Sequence, residues 1–125
     1  MRIRFTALLT PLILLGMLGF ATAVRAELPI VTGKEWMASD NDTKLAFLLG
    51  LATMIKVEQN LLGDPPPPGT RSFAPALAKG LAGMSLTEVM QRIDSIYADH
   101  PGRRKESVIG VIWRDIAIPR LEAEK

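Results

Sequence analysis

His100 is the only imidazole in this 125-residue chain, and there is no cysteine. Thiol nucleophiles and soft metal ligation are therefore excluded at the outset. A Ser-His-Asp relay with Ser39, Ser95 or Ser107 is formally open, because a serine needs only a base and an orienting carboxylate. None of the three sits in a Gly-x-Ser-x-Gly elbow. His100 instead precedes Pro101-Gly102, where an imidazolium suits the negative end of a helix and its last carbonyls. A metal site would have to be all oxygen, and Asp40-Asn41-Asp42-Thr43 lacks the glycine and distal glutamate of a calcium loop. No enzyme chemistry, metal or other cofactor is expected.

Glu58 is the one carboxylate in an unusual setting. It falls in the apolar stripe of Leu51, Met54 and Leu61. An acid held there has a raised pKa or a basic partner, with Arg92 and Arg114 the candidates. Coupled to Asp94 or Asp115 it would form a carboxylate pair of the acid/base kind. A single charge in mid-helix ordinarily reaches solvent or a salt bridge, and the structural reading is preferred.

Binding residues are sought among the aromatics. Of the seven in the chain, Trp36, Phe47, Tyr97 and Trp113 are expected in the core. Phe73 stands apart, following Arg71 and the run Pro65 to Pro68. An exposed aromatic there would mark a partner site. The candidate partner-binding residues are therefore Phe73, Arg71, Pro66 and Pro67, although prolines in a surface loop also act simply as stiffeners.

The elements that must position these groups are helical. Thr32-Gly33-Lys34-Glu35 has the form of a capping box and opens a short helix. Ser39 to Asp42 interrupts it and caps a longer helix over about 43–62, whose two adjacent apolar stripes predict a central, widely buried element. Gly63 suits the end of that helix. Four prolines within Asp64 to Gly69 predict a stiff extended strap of about 12 Å. A short helix over 72–79 follows, and Gly80 and Gly83 are expected to loosen the chain. Ser85-Leu86-Thr87-Glu88 is a second capping box, leading a helix whose Val89, Met90, Ile93, Ile96 and Tyr97 share one face. The last helix, about 104–117, carries Val108, Ile109, Ile112, Trp113 and Ile116 and ends at Pro119. Its β-branched content leaves a strand over 108–113 as the alternative.

The N-terminus reads as an export signal. Arg2 and Arg4 precede an apolar run from Phe5 to Phe20 and two small-residue cleavage sites, ending at Ala23 and Ala26. The uncharged stretch from Phe5 to Val24 is also long enough for a retained membrane anchor, although Pro11, Gly16 and Gly19 interrupt it. Cleavage after Ala26 leaves 12 basic against 13 acidic residues, and cleavage after Ala23 keeps Arg25 and balances them. Either chain lacks the basic surplus that nucleic acid demands. An exported domain without disulfides must be held by packing alone.

The order of these features resembles the small periplasmic helical proteins of the Rap/Tai type VI secretion immunity group, which are similar in style to Hde-type acid-stress chaperones. The resemblance runs from Trp36 to Pro119. It is carried by Phe47-Leu48-Leu49-Gly50 in a long helix, Gly83-Met84-Ser85-Leu86-Thr87-Glu88, Tyr97-Ala98-Asp99-His100-Pro101, and the apolar last helix. It implies four to five helices and action by binding a protein. Those families typically carry paired cysteines, one near the position of Leu48, and this chain has none.

The expectation is an all-α bundle of four to five helices over 27–125 behind a signal peptide over 1–26, periplasmic or secreted. Its function is expected to be non-enzymatic binding of a protein partner, immunity-like or inhibitor-like. The membrane enters only if the N-terminal segment is retained. The alternative is a holdase opened by acid, since neutralising the 13 acids leaves a strongly positive chain.

Overall fold

The computed structural model describes residues 28–125. The export segment, its cleavage sites and its anchor alternative lie outside the described residues. The fold is all-α: α1 (Gly33–Ala38), α2 (Asn41–Leu62), α3 (Ala74–Leu81), α4 (Leu86–Asp99), α5 (Val108–Val111) and α6 (Ile118–Ala123). A wide π-helical segment, Ile112–Ala117, joins α5 to α6 without a break, so these pieces form one rod and the bundle counts five helices.

Local chemistry accounts for the starts. At α1, Lys34 N–H donates to Thr32 Oγ1 at 3.3 Å and Thr32 N–H to the Glu35 carboxylate at 3.0 Å. At α2, Thr43 N–H donates to Asp40 Oδ1 at 2.7 Å. At α4, Ser85 and Glu88 exchange the same pair of bonds, at 2.7 and 3.1 Å. These bonds hold the carboxyls of Glu35, Asp40 and Glu88 below their ordinary range, because the backbone and side-chain donors favour the charged form. Gly63 ends α2 at φ +89°, a conformation that penalises a Cβ.

The rod is the core. Val108, Val111, Ile112, Ile116 and Ala117 are all buried, and α4 lays Val89, Met90, Ile93 and Tyr97 on them. Residues 108–113 are helical, not strand. The only bridge among the described residues joins Thr32 to Ser107. Beside it Val108 N–H donates to Val31 O at 2.9 Å and Gly33 N–H to Glu106 O at 3.0 Å, pinning α1 to the start of the rod.

Three expectations about elements are corrected. The last helix does not stop at Pro119. That residue lies within the first turn of α6, and the helix continues to Ala123. Proline has no N–H to give and its ring crowds the carbonyl four residues back. The turn before it widens instead, and Ile118 N–H donates to Trp113 O, five residues earlier. Gly80 does not loosen the chain. It is buried on α3, and a Cβ there would lie 2.7 Å from Ala117 Cβ and 2.8 Å from its Cα. Finally, α2 is not central. Only Lys44 and Leu48 are buried on it; α3 and α4 cover one stripe, and of the second stripe Phe47 and Leu51 are half-buried against the core while Met54 and Leu61 face solvent.

Candidate protein-binding surface

The exposed part of that stripe is the candidate site. Leu49, Met54, Val57 and Leu61 on α2 are 58%, 65%, 44% and 80% exposed, and Phe73, just before α3, is 52% exposed. Leu49 lies off to one side, and between the others runs an apolar groove of about 390 Å³, with buried Leu77 and Ala74 on one wall and Leu51, Met54, Val57 and Leu61 on the other. Phe73 is propped upright by Trp113, edge to face at a centroid distance of 6.2 Å. Exposed apolar area this continuous is a recognised mark of an interaction site on a soluble domain.

Two polar clusters fix the frame that presents this face. Asp94 on α4 accepts from Trp36 Nε1 at 2.8 Å and from Lys44 Nζ at 2.9 Å, and the Lys44 ammonium lies 5.6 Å from the Trp36 ring centre. This knot ties α1, α2 and α4 together at the N-terminal end of α2. The second cluster joins the loop before α5 to the rod. Arg103 donates two bonds to Glu106, at 3.0 and 3.1 Å from Nη2 and Nε to Oε2, and also holds Asp115 at 2.6 Å. Arg114 completes the cluster through Glu106 and Asp115. Burial, with the Glu106 charge adding to it, pushes the Tyr97 hydroxyl up to about 12, and that hydroxyl donates to Glu106 O at 3.0 Å.

The predicted site residues are thus dispersed. Phe73 alone of the four partner-binding candidates lines the groove. Arg71 and Pro67 are exposed outside it and Pro66 is half-buried. The strap is bent rather than straight, because Thr70 N–H donates to Pro67 O at 3.1 Å. Glu58 is half-buried on the groove wall, and no cation lies within salt-bridge distance of it among the described residues. Arg114 is engaged with Glu106 and Asp115, and Arg92 lines a different, open cleft of about 520 Å³ with Glu88, Ser95 and Arg120. The buried charge is instead Lys44. It was hidden in the sequence because its partner lies fifty positions away.

No family model, curated protein or solved structure matches the chain.

Ser39 Oγ donates to Glu35 O, Ser95 Oγ to Gln91 O, and Ser107 Oγ accepts from Gly110 N–H. His100 is exposed at the end of α4 and holds its place through its backbone, with N–H to Ile96 O at 3.0 Å. The relay residues are not brought together. No group of three His, Asp or Glu among the described residues is placed to hold a metal ion. By length and composition α2 could cross a membrane. However, its Lys44 is tied to Asp94 and its inner stripe to the core, which fits a surface helix of a bundle.

The Arg103 cluster carries a pH expectation. Hydrogen bonds from Arg103, then from Arg114, hold the Glu106 carboxyl below its ordinary 4.5. A depressed folded pKa contributes stability that is fully present above the unfolded value and is lost as pH falls through the folded one. The bundle should therefore lose this contribution below about pH 4.5. Urea titrations of wild type and Glu106→Gln at pH 7 and pH 3 measure it. The difference between them should shrink at the lower pH, and an equal difference at both would contradict the assignment.

Proposed function

We propose that this chain is an exported, non-enzymatic helical protein that acts by binding another protein. The single observation behind this reading is the apolar groove bordered by Phe73, Met54 and Leu61, an uncovered oily wall on an otherwise well-packed bundle. Burying such side chains contributes about 1.5–3 kcal/mol each at full burial, enough for a few anchors to dominate an interface. An immunity-like inhibitor is the form of this function that the sequence resemblance implies.

The test is capture from a periplasmic or secreted extract with the tagged protein and two single variants, Phe73→Asp and Arg71→Ala. Phe73→Asp should abolish recovery of a partner, while Arg71→Ala, outside the groove, should change it little. Equal recovery by wild type and Phe73→Asp would remove the reading.

The holdase alternative is favoured by one specific feature, the acid-labile Glu106 cluster that joins the loop to the rod. It predicts that Glu106→Gln raises the pH at which the protein begins to suppress aggregation of a client.

A further inference from the structure

We infer that the outer face of α2 holds a second copy of this chain, in an antiparallel helix pair. The inference rests on reading this face as a protein-binding surface and names its occupant. Phe47, Gly50, Met54, Val57 and Leu61 follow one another at steps of three, four, three and four, and Thr43 extends the row by a further four. That is the a/d spacing of a two-helix seam, which on a lone helix has no counterpart to fill. In this bundle only half-buried Phe47 has one, its inner edge packed against Trp36 at a centroid distance of 6.0 Å; every other member is exposed.

The row is self-complementary only when a second α2 runs the opposite way. Centred near Ala52, the antiparallel register sets Gly50 against Met54 of the other copy, Phe47 against Val57, and Thr43 against Leu61. Large then faces small or medium in every layer, and the two helix dipoles oppose each other. A parallel pair stacks Gly50 on Gly50 and Met54 on Met54, leaving a gap beside a crowd. Gly50 points the same way. A Cβ there would meet nothing within 4 Å, so nothing inside one copy calls for a glycine in mid-helix. A helix packed closely against it does.

Charge and area agree. One flank of the seam is Ala46, Thr53 and Asn60, all exposed and uncharged; on the other, Lys44 is held by Asp94 and the two copies of Glu58 lie about 18 Å apart along the axis in this register, too far for strong repulsion. At 1.5 Å per residue α2 is about 33 Å long. The three large exposed side chains along it, Met54, Val57 and Leu61, bring roughly 100 Å² each, and the intervening small residues bring each copy to the order of 500 Å². The pair then buries on the order of 1,000 Å², the size of a weak, reversible interface. Phe73 stays at the edge of the seam, where a foreign partner reaches it.

Sedimentation equilibrium of the purified protein, with no extract present, tests this. A mass twice that of one chain is expected. Leu61→Asp and Met54→Asp, each placing a carboxylate in the seam, should weaken association at least about 100-fold with helical circular dichroism unchanged. Because the chain has no cysteine, single introduced thiols report the register. Thr53→Cys, beside the two-fold axis, should form a disulfide-linked dimer on oxidation, and Val57→Cys should not. A monomer up to millimolar concentration, a cross-link at 57 but not 53, or binding to phosphatidylcholine vesicles in place of self-association would each overturn the inference. A monomer that still captures a partner through Phe73 would leave the proposed function standing, and a dimer that captures none would remove only that function.

Discussion

Gly80→Ala should destabilise the bundle by roughly 2 kcal/mol, although alanine is the better helix former by about 1 kcal/mol. The reason is distance. The added methyl would sit 2.7 Å from Ala117 Cβ, 2.8 Å from its Cα and 2.9 Å from its carbonyl oxygen. Two of these three atoms are backbone, so no side chain can swing aside. Over-packing of this kind costs about 1–3 kcal/mol, and the rigid neighbour places Gly80 at the top of that range. Ala117 belongs to the π-helical segment, and Arg120 ties the same joint by donating to Gly80 O at 2.7 Å and to Ala82 O at 2.6 Å. Alanine would therefore push α3 from the rod and strain these bonds as well. For a domain of about 100 residues the loss corresponds to a fall in Tm of about 8–16 °C. The same substitution at Gly50, where a Cβ meets open space, should instead raise the stability of the single chain by about 0.5–1 kcal/mol. Thermal melts of the two variants, recorded at a concentration that keeps the chain monomeric, check the contrast. Equal shifts of the same sign would refute the packing account.

Asp94→Ala is expected to cost about 3 kcal/mol, more than loss of the hydrogen bond from Trp36 alone. The carboxylate receives both the Lys44 ammonium and the Trp36 indole N–H, and Lys44 keeps only 9% of its side-chain surface in water while Asp94 keeps 32%. Removing the acid strands a charge where solvent barely reaches, and such losses run at about 3–5 kcal/mol for fully buried pairs. The partial exposure of Asp94 sets the value at the low end. The cation–π contact with Trp36 stays and offsets only about 0.5–1 kcal/mol. Trp36→Phe, which removes a donor to the carboxylate and part of a fully buried ring system, should cost about 2 kcal/mol. Replacing both ions, as in Lys44→Met with Asp94→Leu, should recover most of the deficit because no charge is then left unpaired. Urea titrations of the two single variants and the double close the cycle. A double variant as unstable as the sum of the singles would show that the pair is not coupled.

How much of this was legible beforehand varies by element, for physical reasons. Both capping boxes, at Thr32 and Ser85, involve residues three apart, so their geometry is written in the spacing. The inner face of α4 was legible for the same reason, since Val89, Met90, Ile93 and Tyr97 need only the helical period to align. The reading of Pro119 failed because a proline near the end of a helix ends it in isolation. Here the preceding turn widened, held by burial of Ile112, Ile116 and Ala117 on both sides.

Glu58 and the second stripe of α2 failed differently. A two-sided apolar helix predicts burial on two sides only if the chain has enough other elements to cover it. Its α3 spans only eight residues, and α3 and α4 together cover a single stripe of α2.

Residue order alone thus determined that the described body is helical, where α1, α2 and α4 begin, and that no thiol chemistry is available to it. Those properties depend on periodicity and on caps closed within one turn. Tertiary structure alone decided that Asp94 would bind Lys44 and Trp36, that Gly80 would be a joint, and that Leu61 and Phe73 would face water. Each of these depends on which surfaces the bundle has enough chain to cover, a quantity that no local window contains.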